Sequence, residues 1–152
     1  AFIIDSKGKY GEWQNILGKY VVSQGTYKWK LKINYINTHV NIFNIIVGIT
    51  KYDAKNILAE FLDYNDDSYY GWCCQNARKF HKGFGEPYGI KCTESNKIIE
   101  MILDLDNLTL KYIIDGQSYG ICYDNILKND YRLCISVFGT LLKKTKIEII
   151  PN

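Results

Sequence analysis

The stretch from Ile98 to Asn125 contains two consecutive hairpins, and it constrains the fold of the chain more than any other segment. It reads IIEMILDLDNLTLKYIIDGQSYGICYDN. The first turn falls at Asp106-Asn107-Leu108. The second falls at Asp115-Gly116, a dipeptide that supplies the positive φ angles of a tight two-residue hairpin. Apolar and polar residues alternate along the arms, so successive side chains point to opposite faces. The pattern predicts a meander of three antiparallel strands.

The rest of the chain also favours short strands. The clearest is Thr26 to Tyr35, where aromatic and aliphatic residues alternate with lysines, and FNIIVGIT at 43–50 is typical of a strand buried on both faces. Lys19 to Ser23 is predicted as a strand, and 11–18 and 76–89 as irregular connections. Tyr52 to Asp67 has helical spacing and is predicted as a helical turn or a packed loop. Counting these elements gives about eleven strands at the spacing of a β-sandwich.

Length and composition indicate one globular domain spanning residues 1–152. A chain of this length with 47% hydrophobic residues is able to bury a core. No apolar run approaches the ~20 residues of a membrane span, and a net charge of +3 is too small to favour a nucleic-acid or membrane partner. Because the chain begins at Ala1 rather than methionine, we expect it to be excised from a longer protein or processed.

The cysteines favour a reducing compartment. There are five of them, an odd number, and two are adjacent, so free thiols in the cytoplasm, with the nucleus as the alternative, are expected rather than a disulfide framework. No C-x-x-C pair occurs, and neither histidine completes a metal-ligand spacing. The cysteines are Cys73, Cys74, Cys92, Cys122 and Cys134.

Two arrangements have an alternative chemical interpretation. Asp104 and Asp106 suggest a calcium site, but alternation places them on one face of a hairpin without the converging oxygen ligands that calcium needs, so no metal is expected. His81 with Cys73 or Cys74 suggests a hydrolase with a thiol nucleophile. The sequence offers no third orienting residue and no oxyanion-hole motif for that pair, so the hydrolase is a minor hypothesis.

Six segments, in order along the chain, resemble the motifs of one protein family. GFGEPYG at 83–89 is similar to a G-x-G-x-P-Y-G segment, and 103–123 resembles L-D-x-x-x-x-T-L-x-x-x-x-N-G-x-x-x-G-x-A-F. The segment 26–31 resembles a G-x-Y-x-W-E strand, and 131–139 resembles L-Y-P-x-V-S-x-x-G. The remaining similarities are IVGI at 46–49 and SYYGW at 68–72. Together they identify the chain as a member of the SPRY domain family.

The resemblance implies an all-β fold, a bent antiparallel sandwich of two sheets of the concanavalin-like type. Family members occur in tripartite-motif and SOCS-box ubiquitin-ligase adaptors, Ran-binding scaffold proteins and ryanodine receptors. They bind partner proteins through loops at one rim of the sandwich and carry no catalytic residue or cofactor. The resemblance therefore implies a non-catalytic protein-interaction module, serving substrate recognition for a ubiquitin ligase or a scaffold.

The resemblance also implies a binding surface. In the SOCS-box subgroup a short peptide docks against loops that include the segment matching Phe138-Gly139, where the subgroup usually has tryptophan-glycine. Aromatic residues in the other loops complete the set that we expect at the rim. The predicted partner-binding residues are Tyr10, Trp13, Tyr52, Tyr64, Phe138 and Gly139.

Three other functions remain open from the sequence. A carbohydrate-binding sandwich is the main alternative, because aromatic loop residues also stack on sugars. The thiol hydrolase and weak electrostatic nucleic-acid binding follow. We expect a monomeric domain that binds a protein or peptide, without a cofactor, metal, nucleic acid or membrane.

Overall fold

The structure is a computed structural model that describes residues 2–5, 13–36, 45–54, 66–138 and 144–151. The secondary structure of these residues consists of twelve β-strands. The strands are β1 (Phe2–Asp5), β2 (Trp13–Leu17), β3 (Thr26–Ile36), β4 (Ile45–Lys51), β5 (Tyr69–Cys73), β6 (Arg78–His81), β7 (Phe84–Pro87), β8 (Lys97–Asp104), β9 (Thr109–Ile114), β10 (Gln117–Tyr123), β11 (Tyr131–Phe138) and β12 (Lys144–Ile150).

The strands form two six-stranded antiparallel sheets, which confirms the predicted β-sandwich. The first sheet has the order β1-β12-β3-β8-β9-β10, and the second has the order β2-β11-β4-β5-β6-β7. The meander predicted from the hairpin stretch is β8-β9-β10, with Ile99 opposite Ile114 and Leu103 opposite Leu110. Asp115 and Gly116 both have positive φ angles, 51° and 81°, as the predicted tight turn requires.

The main core lies between the two sheets. Alternate residues of β3 and β8 point into it, as their sequence pattern predicts, and Tyr112 of the first sheet donates a hydrogen bond of 2.7 Å to the carbonyl of Val47 in the second. The buried residues on these two strands are Trp29, Leu31, Ile33, Ile99, Met101 and Leu103.

The second sheet is also apolar on its outward face, which points away from the first sheet. Ile45, Val47 and Ile49 of β4 pack in the main core, whereas Ile46 packs outward with Tyr69, Cys73, Phe80 and Cys134. The prediction of a strand buried on both faces at 43–50 is therefore confirmed for the residues of β4.

Three local predictions were wrong. Residues 13–17 form β2, and 78–87 form the β6–β7 hairpin, where irregular connections were expected. Strand β2 lacks alternation, and it forms because it supplies the hydrogen-bonding partners for one edge of β11. The β6–β7 hairpin turns at Lys82-Gly83, which have φ angles of 52° and 76°. Lys19 to Ser23 forms only an isolated bridge between Val22 and Tyr131 instead of a strand.

Asp104 stabilises the turn of the first hairpin. The Asp104 carboxylate accepts hydrogen bonds from the backbone N–H groups of Asp106 and Asn107, both at 3.0 Å, and from the Asn107 side chain at 2.9 Å. These bonds favour the ionised form and lower the pKa of Asp104. The segment Tyr52 to Asp67, predicted as a helical turn or packed loop, lies mostly outside the described residues.

Candidate functional site

The structure brings together two of the predicted partner-binding residues. Trp13 is the first residue of β2 and Phe138 is the last residue of β11, and the two are Cα partners in the antiparallel ladder. They are far apart in the sequence, so only the pairing of β2 with β11 makes them neighbours. Tyr10, Tyr64 and Gly139 lie outside the described residues.

Tyr52 lies at the other end of the second sheet. Strand β11 pairs with β4 from Tyr131 opposite Lys51 to Val137 opposite Ile45, and Tyr52 follows Lys51 directly. Tyr131 and Phe138 are seven positions apart along β11, which corresponds to roughly 23 Å at about 3.3 Å per residue. The predicted set of residues is therefore divided between two ends of one sheet.

The strands that carry Trp13 and Phe138 are held firmly in the sheet. Strand β11 has a partner on each side, β2 and β4. Next to the Trp13–Phe138 pair, Ser136 and Asn15 are also Cα partners, and the Ser136 hydroxyl donates to Asn15 Oδ1 at 2.5 Å. The Tyr69 hydroxyl lies 3.4 Å from Ser136 Oγ and donates to the Cys134 carbonyl at 3.3 Å. This end of the sheet is therefore ordered before any partner arrives.

Burial keeps this polar group uncharged. Tyr69 and Ser136 are 1% and 0% exposed, and desolvation raises the pKa of the Tyr69 phenol well above its ordinary value. A neutral hydroxyl that donates to a backbone carbonyl is a structural group rather than an acid or base. The network thus supports the strand ends instead of offering chemistry.

Tyr52 rests on an arginine at the opposite end. Its side chain is 53% exposed, and the guanidinium of Arg132 lies 5.4 Å from the centre of the tyrosine ring. The Tyr52 N–H donates to the carbonyl of Asp130 at 2.9 Å, which fixes the backbone beside β11. The arginine and the ring attract each other as a cation–π pair, and both residue types are enriched at protein interfaces.

The sequence did not reveal an aromatic cluster around His81. The His81 ring stacks on Tyr70 with centroids 4.0 Å apart and meets the edge of Tyr123 at 6.0 Å. Its Nδ1 donates to the Tyr69 carbonyl at 2.7 Å, because a carbonyl only accepts. Burial lowers the pKa of His81, which favours the neutral ring. Alternation along β6 could have indicated this cluster from the sequence, because it places Lys79 and His81 on the face opposite Phe80.

A small concave site adjoins this cluster at the flank where β6 faces β10. Its volume is about 210 Å³. The Lys79 ammonium donates to the Cys122 carbonyl at 2.7 Å, lies 5.1 Å from the Tyr123 ring centre and 3.8 Å from Glu86. The charge of Lys79 is therefore already engaged. The site is lined by Lys79, His81, Glu86 and Tyr123.

The thiols of Cys73 and Cys74 are poorly suited to act as nucleophiles. The Cys73 thiol donates to Gln75 Oε1 at 3.5 Å and the Cys74 thiol to the Ile45 carbonyl at 3.9 Å. Burial raises the pKa of Cys73 to about 11, whereas a thiol nucleophile needs a lowered pKa.

In the part of the chain that the structure describes, no group of three or more His, Cys, Asp and Glu residues is placed so that it could hold a metal ion. The described residues also contain no helix that is long and apolar enough to span a membrane.

Comparison with known proteins identifies the fold. No family model and no curated protein matches the sequence. Among solved structures, the SPRY domain of human HERC1 matches with a TM-score of 0.74 and 15% identity, over 92% of this chain and 83% of that one. The TRIM65 PSpry domain matches with a TM-score of 0.66 and 13% identity, over 91% and 71% of the two chains. The chain has the fold of SPRY domains, which confirms the resemblance noted in its sequence.

Proposed function

We propose that this SPRY-fold chain is a non-catalytic interaction module that binds an extended segment of a partner protein at the end of the second sheet marked by Trp13 and Phe138. The observation that carries the proposal is the register of β2 against β11. Trp13 and Phe138 were selected separately from the sequence, and they are Cα partners. An interaction surface needs its aromatic anchors close together, and the pairing of these two backbone positions supports the proposal for that reason.

The physical basis is preorganisation. Strand β11 is paired on both sides and the Ser136–Asn15 hydrogen bond lies two residues from the end of the strand, so little backbone order has to be gained on binding. A rigid site loses less conformational entropy when the complex forms. Aromatic anchors at such sites often contribute about 2 kcal/mol or more each to binding.

The chemistry of the buried groups supports binding rather than catalysis. The pKa values of Cys73 and Cys92 are both raised to about 11, and His81 is stacked and bonded to a backbone carbonyl. These three side chains are suited to packing in the folded chain rather than to acid–base or nucleophilic catalysis. The five free cysteines are all buried, which is consistent with our proposal that the module works as a monomer in a reducing compartment, the cytoplasm or the nucleus.

The test is capture of partners by a double variant. The expected result is that Trp13→Ala with Phe138→Ala abolishes capture of peptides that the unmodified chain selects from a displayed random library. Tyr20→Ala is the matched control, because Tyr20 is 58% exposed and lies between β2 and β3 rather than at this strand end. Circular dichroism and urea unfolding establish that each variant is folded.

If the folded double variant captures the peptides as well as the unmodified chain does, the proposed binding site is wrong. Reproducible binding on a glycan array, with no peptide selected by the unmodified chain, would overturn the protein-interaction function in favour of carbohydrate binding.

We further propose that the module recognises substrates for a ubiquitin ligase or a scaffold. A ligase or scaffold domain in the same full-length open reading frame is the expected finding, and a catalytic domain of another class there would contradict it.

A further inference from the structure

The His81 ring carries a hydrogen-bond acceptor that the fold does not use. Its Nδ1 donates to the Tyr69 carbonyl at 2.7 Å, so the proton of the neutral ring lies on Nδ1 and Nε2 presents a lone pair. Burial lowers the pKa of His81, which favours this neutral form. Stacking on Tyr70, with centroids 4.0 Å apart and ring planes 6° apart, fixes the orientation of the ring. Among the residues that the structure describes, Nε2 has no hydrogen-bonding partner.

This acceptor is within reach of a ligand. Nε2 is not sealed in the protein, because the buried side-chain nitrogen and oxygen atoms that lack a partner in the described ranges are Thr50 Oγ1 and Arg132 Nε. His81 lines the concave site between β6 and β10, whose volume is about 210 Å³. A water molecule occupies about 30 Å³ in the liquid, so this cavity has room for a group of several heavy atoms. An accessible acceptor beside a cavity of this size suits a ligand that brings a donor.

The other polar groups of the cavity are one cation and one anion. The Lys79 ammonium uses one of its three donors on the Cys122 carbonyl at 2.7 Å. Glu86 lies 3.8 Å from it, which is close enough to balance its charge but too long for a hydrogen bond. The Glu86 side chain is 67% exposed, so it can turn toward a ligand. Tyr123 adds an apolar wall, since its hydroxyl already donates to the Gly71 carbonyl at 2.9 Å.

These groups select a neutral ligand that both donates and accepts hydrogen bonds. A carboxylate has no hydrogen for Nε2 and is repelled by Glu86, whereas an ammonium or guanidinium group is repelled by Lys79. A hydroxyl has one hydrogen and cannot donate to both Nε2 and the Glu86 carboxylate. A primary carboxamide has two N–H donors and one carbonyl acceptor, which matches the two acceptors and the donor of the cavity.

We propose that the cavity binds the side-chain carboxamide of an asparagine or glutamine of a partner protein. One N–H of the carboxamide donates to His81 Nε2 and the other to the Glu86 carboxylate, while its carbonyl accepts from Lys79. The apolar part of the ligand side chain packs against the Tyr123 ring. Lys79 and His81 are two residues apart on one face of β6, roughly 7 Å along the strand, a span that a carboxamide with a hydrogen bond at each end covers.

This site goes beyond the proposed function, because it lies on another part of the molecule. Strand β6 is four strands away from β2 in the order of the second sheet, roughly 19 Å at about 4.8 Å per strand. A single carboxamide has few heavy atoms and binds in the millimolar range or more weakly, which does not retain a peptide in a library selection. The folded Trp13→Ala, Phe138→Ala variant should therefore lose peptide capture and still bind a carboxamide, so the two proposals fail separately.

Nuclear magnetic resonance observes the His81 Nε2 nucleus through its coupling to the ring hydrogens. Titration with acetamide is expected to shift this signal saturably, with half-saturation on the order of tens of millimolar. N,N-dimethylacetamide has the same carbonyl but no N–H donor, and it should bind about tenfold more weakly or less. Sodium acetate and methylammonium chloride, at constant ionic strength, should not saturate the signal. The peptide Ac-Gly-Gln-Gly-NHCH3, whose glutamine carries its one primary amide, should shift the signal as acetamide does, and its glutamate counterpart should not.

Two variants assign the atoms of the cavity. His81→Asn can still donate to the Tyr69 carbonyl but lacks Nε2, so acetamide should no longer shift the backbone signals around Glu86 saturably. Glu86→Gln replaces an acceptor oxygen by an amide donor and should weaken acetamide binding by about threefold or more. Glu94→Gln is the matched control and should bind acetamide like the unmodified chain, because its carboxylate is 78% exposed and pairs with Lys97 at 3.6 Å, away from this cavity. Urea unfolding checks that each variant is folded.

The proposal fails if no signal saturates, if N,N-dimethylacetamide binds as tightly as acetamide, or if acetate or methylammonium binds more tightly. It also fails if either folded cavity variant binds acetamide like the unmodified chain, or if Glu94→Gln weakens binding as much as Glu86→Gln does. Binding of acetamide without binding of the glutamine peptide would overturn the assignment to a partner protein.

Discussion

Gly48 and Gly71 are Cα partners across β4 and β5, and neither position has room for a side chain. A Cβ at Gly71 would collide with the ring of Tyr69 and approach Ile46 Cγ2 to 2.6 Å. A Cβ at Gly48 would meet the backbone around the carbonyl of Tyr70. Gly71 therefore leaves space for the Tyr69 ring, whose hydroxyl reaches the Cys134 carbonyl of β11. Gly48 lets the backbones of β4 and β5 approach each other closely.

Alanine at either glycine should therefore destabilise the sandwich. We expect Gly71→Ala to lower the free energy of unfolding by about 1–3 kcal/mol, the usual effect of overpacking. Gly48→Ala should lower it more, because backbone atoms yield less readily than the Tyr69 ring. Urea unfolding followed by tryptophan fluorescence measures both. An unchanged midpoint for either variant, or the reverse order, would contradict this account.

The hydrogen bond between the two sheets gives a second prediction. Tyr112 is fully buried and its hydroxyl donates to the Val47 carbonyl at 2.7 Å. We expect Tyr112→Phe to lower the free energy of unfolding by about 1–2 kcal/mol, because the variant removes the bond and leaves only a small change in packing. Tyr20→Phe at an exposed position is the control and should change stability by less than about 0.5 kcal/mol. Equal effects would show that the inter-sheet bond is not stabilising.

The local sequence pattern was sufficient to predict the strands of the β8-β9-β10 meander, which pair with their neighbours in the sequence. The β8-β9-β10 meander is built from alternating strands and Asp115-Gly116, so each prediction there uses residues close together in the chain. Strands β6 and β7 are equally local, but they are short and turn at Lys82-Gly83, a weaker turn signal than Asp-Gly. They were missed for that reason.

The candidate sites depend on pairing that the sequence does not specify. Strand β11 lies between β2 and β4, which are at least 80 residues away in the sequence. This pairing puts Trp13 beside Phe138, and it also separates Tyr52 from Phe138 by the length of the strand. The same long-range register aligns Thr50 with Arg132. Composition and periodicity identify which residues are aromatic or basic, but only the order of strands determines which of them meet.

His81 should make stability depend on pH. Burial lowers its pKa from the ordinary value of 6.5, while the neighbouring Asp67 opposes that shift. As the pH falls through about 6.5, the unfolded chain takes up a proton before the folded chain does, so the free energy of unfolding decreases until the folded pKa is passed. Stability contributed by neutral His81 is therefore present above the unfolded pKa and lost on acidification. The Asp67 pKa is lowered chiefly by its hydrogen bond from Lys51, and its contribution is lost only at lower pH.

The variant His81→Asn tests this pH dependence. The asparagine amide can donate to the Tyr69 carbonyl as Nδ1 does at 2.7 Å, but it does not titrate. Urea unfolding at several pH values between 5 and 8 should give a shallower pH dependence for the variant than for the unmodified chain. Parallel curves for the two proteins would show that the His81 pKa is the same in the folded and unfolded chains.

The buried thiols give a last prediction, which bears directly on the hydrolase hypothesis. All five cysteines are free and buried, with exposures of 5% or less, and burial raises the pKa of Cys73 and Cys92 to about 11 and that of Cys122 further. Only the thiolate reacts with iodoacetamide, so at pH 7.5 the folded chain should gain less than about one label in an hour. In 6 M guanidinium chloride all five thiols should react, which provides the control. Rapid labelling of Cys73 or Cys74 alone in the folded chain, located by peptide mass spectrometry, would reveal an activated thiol and contradict the non-catalytic function proposed for this sandwich.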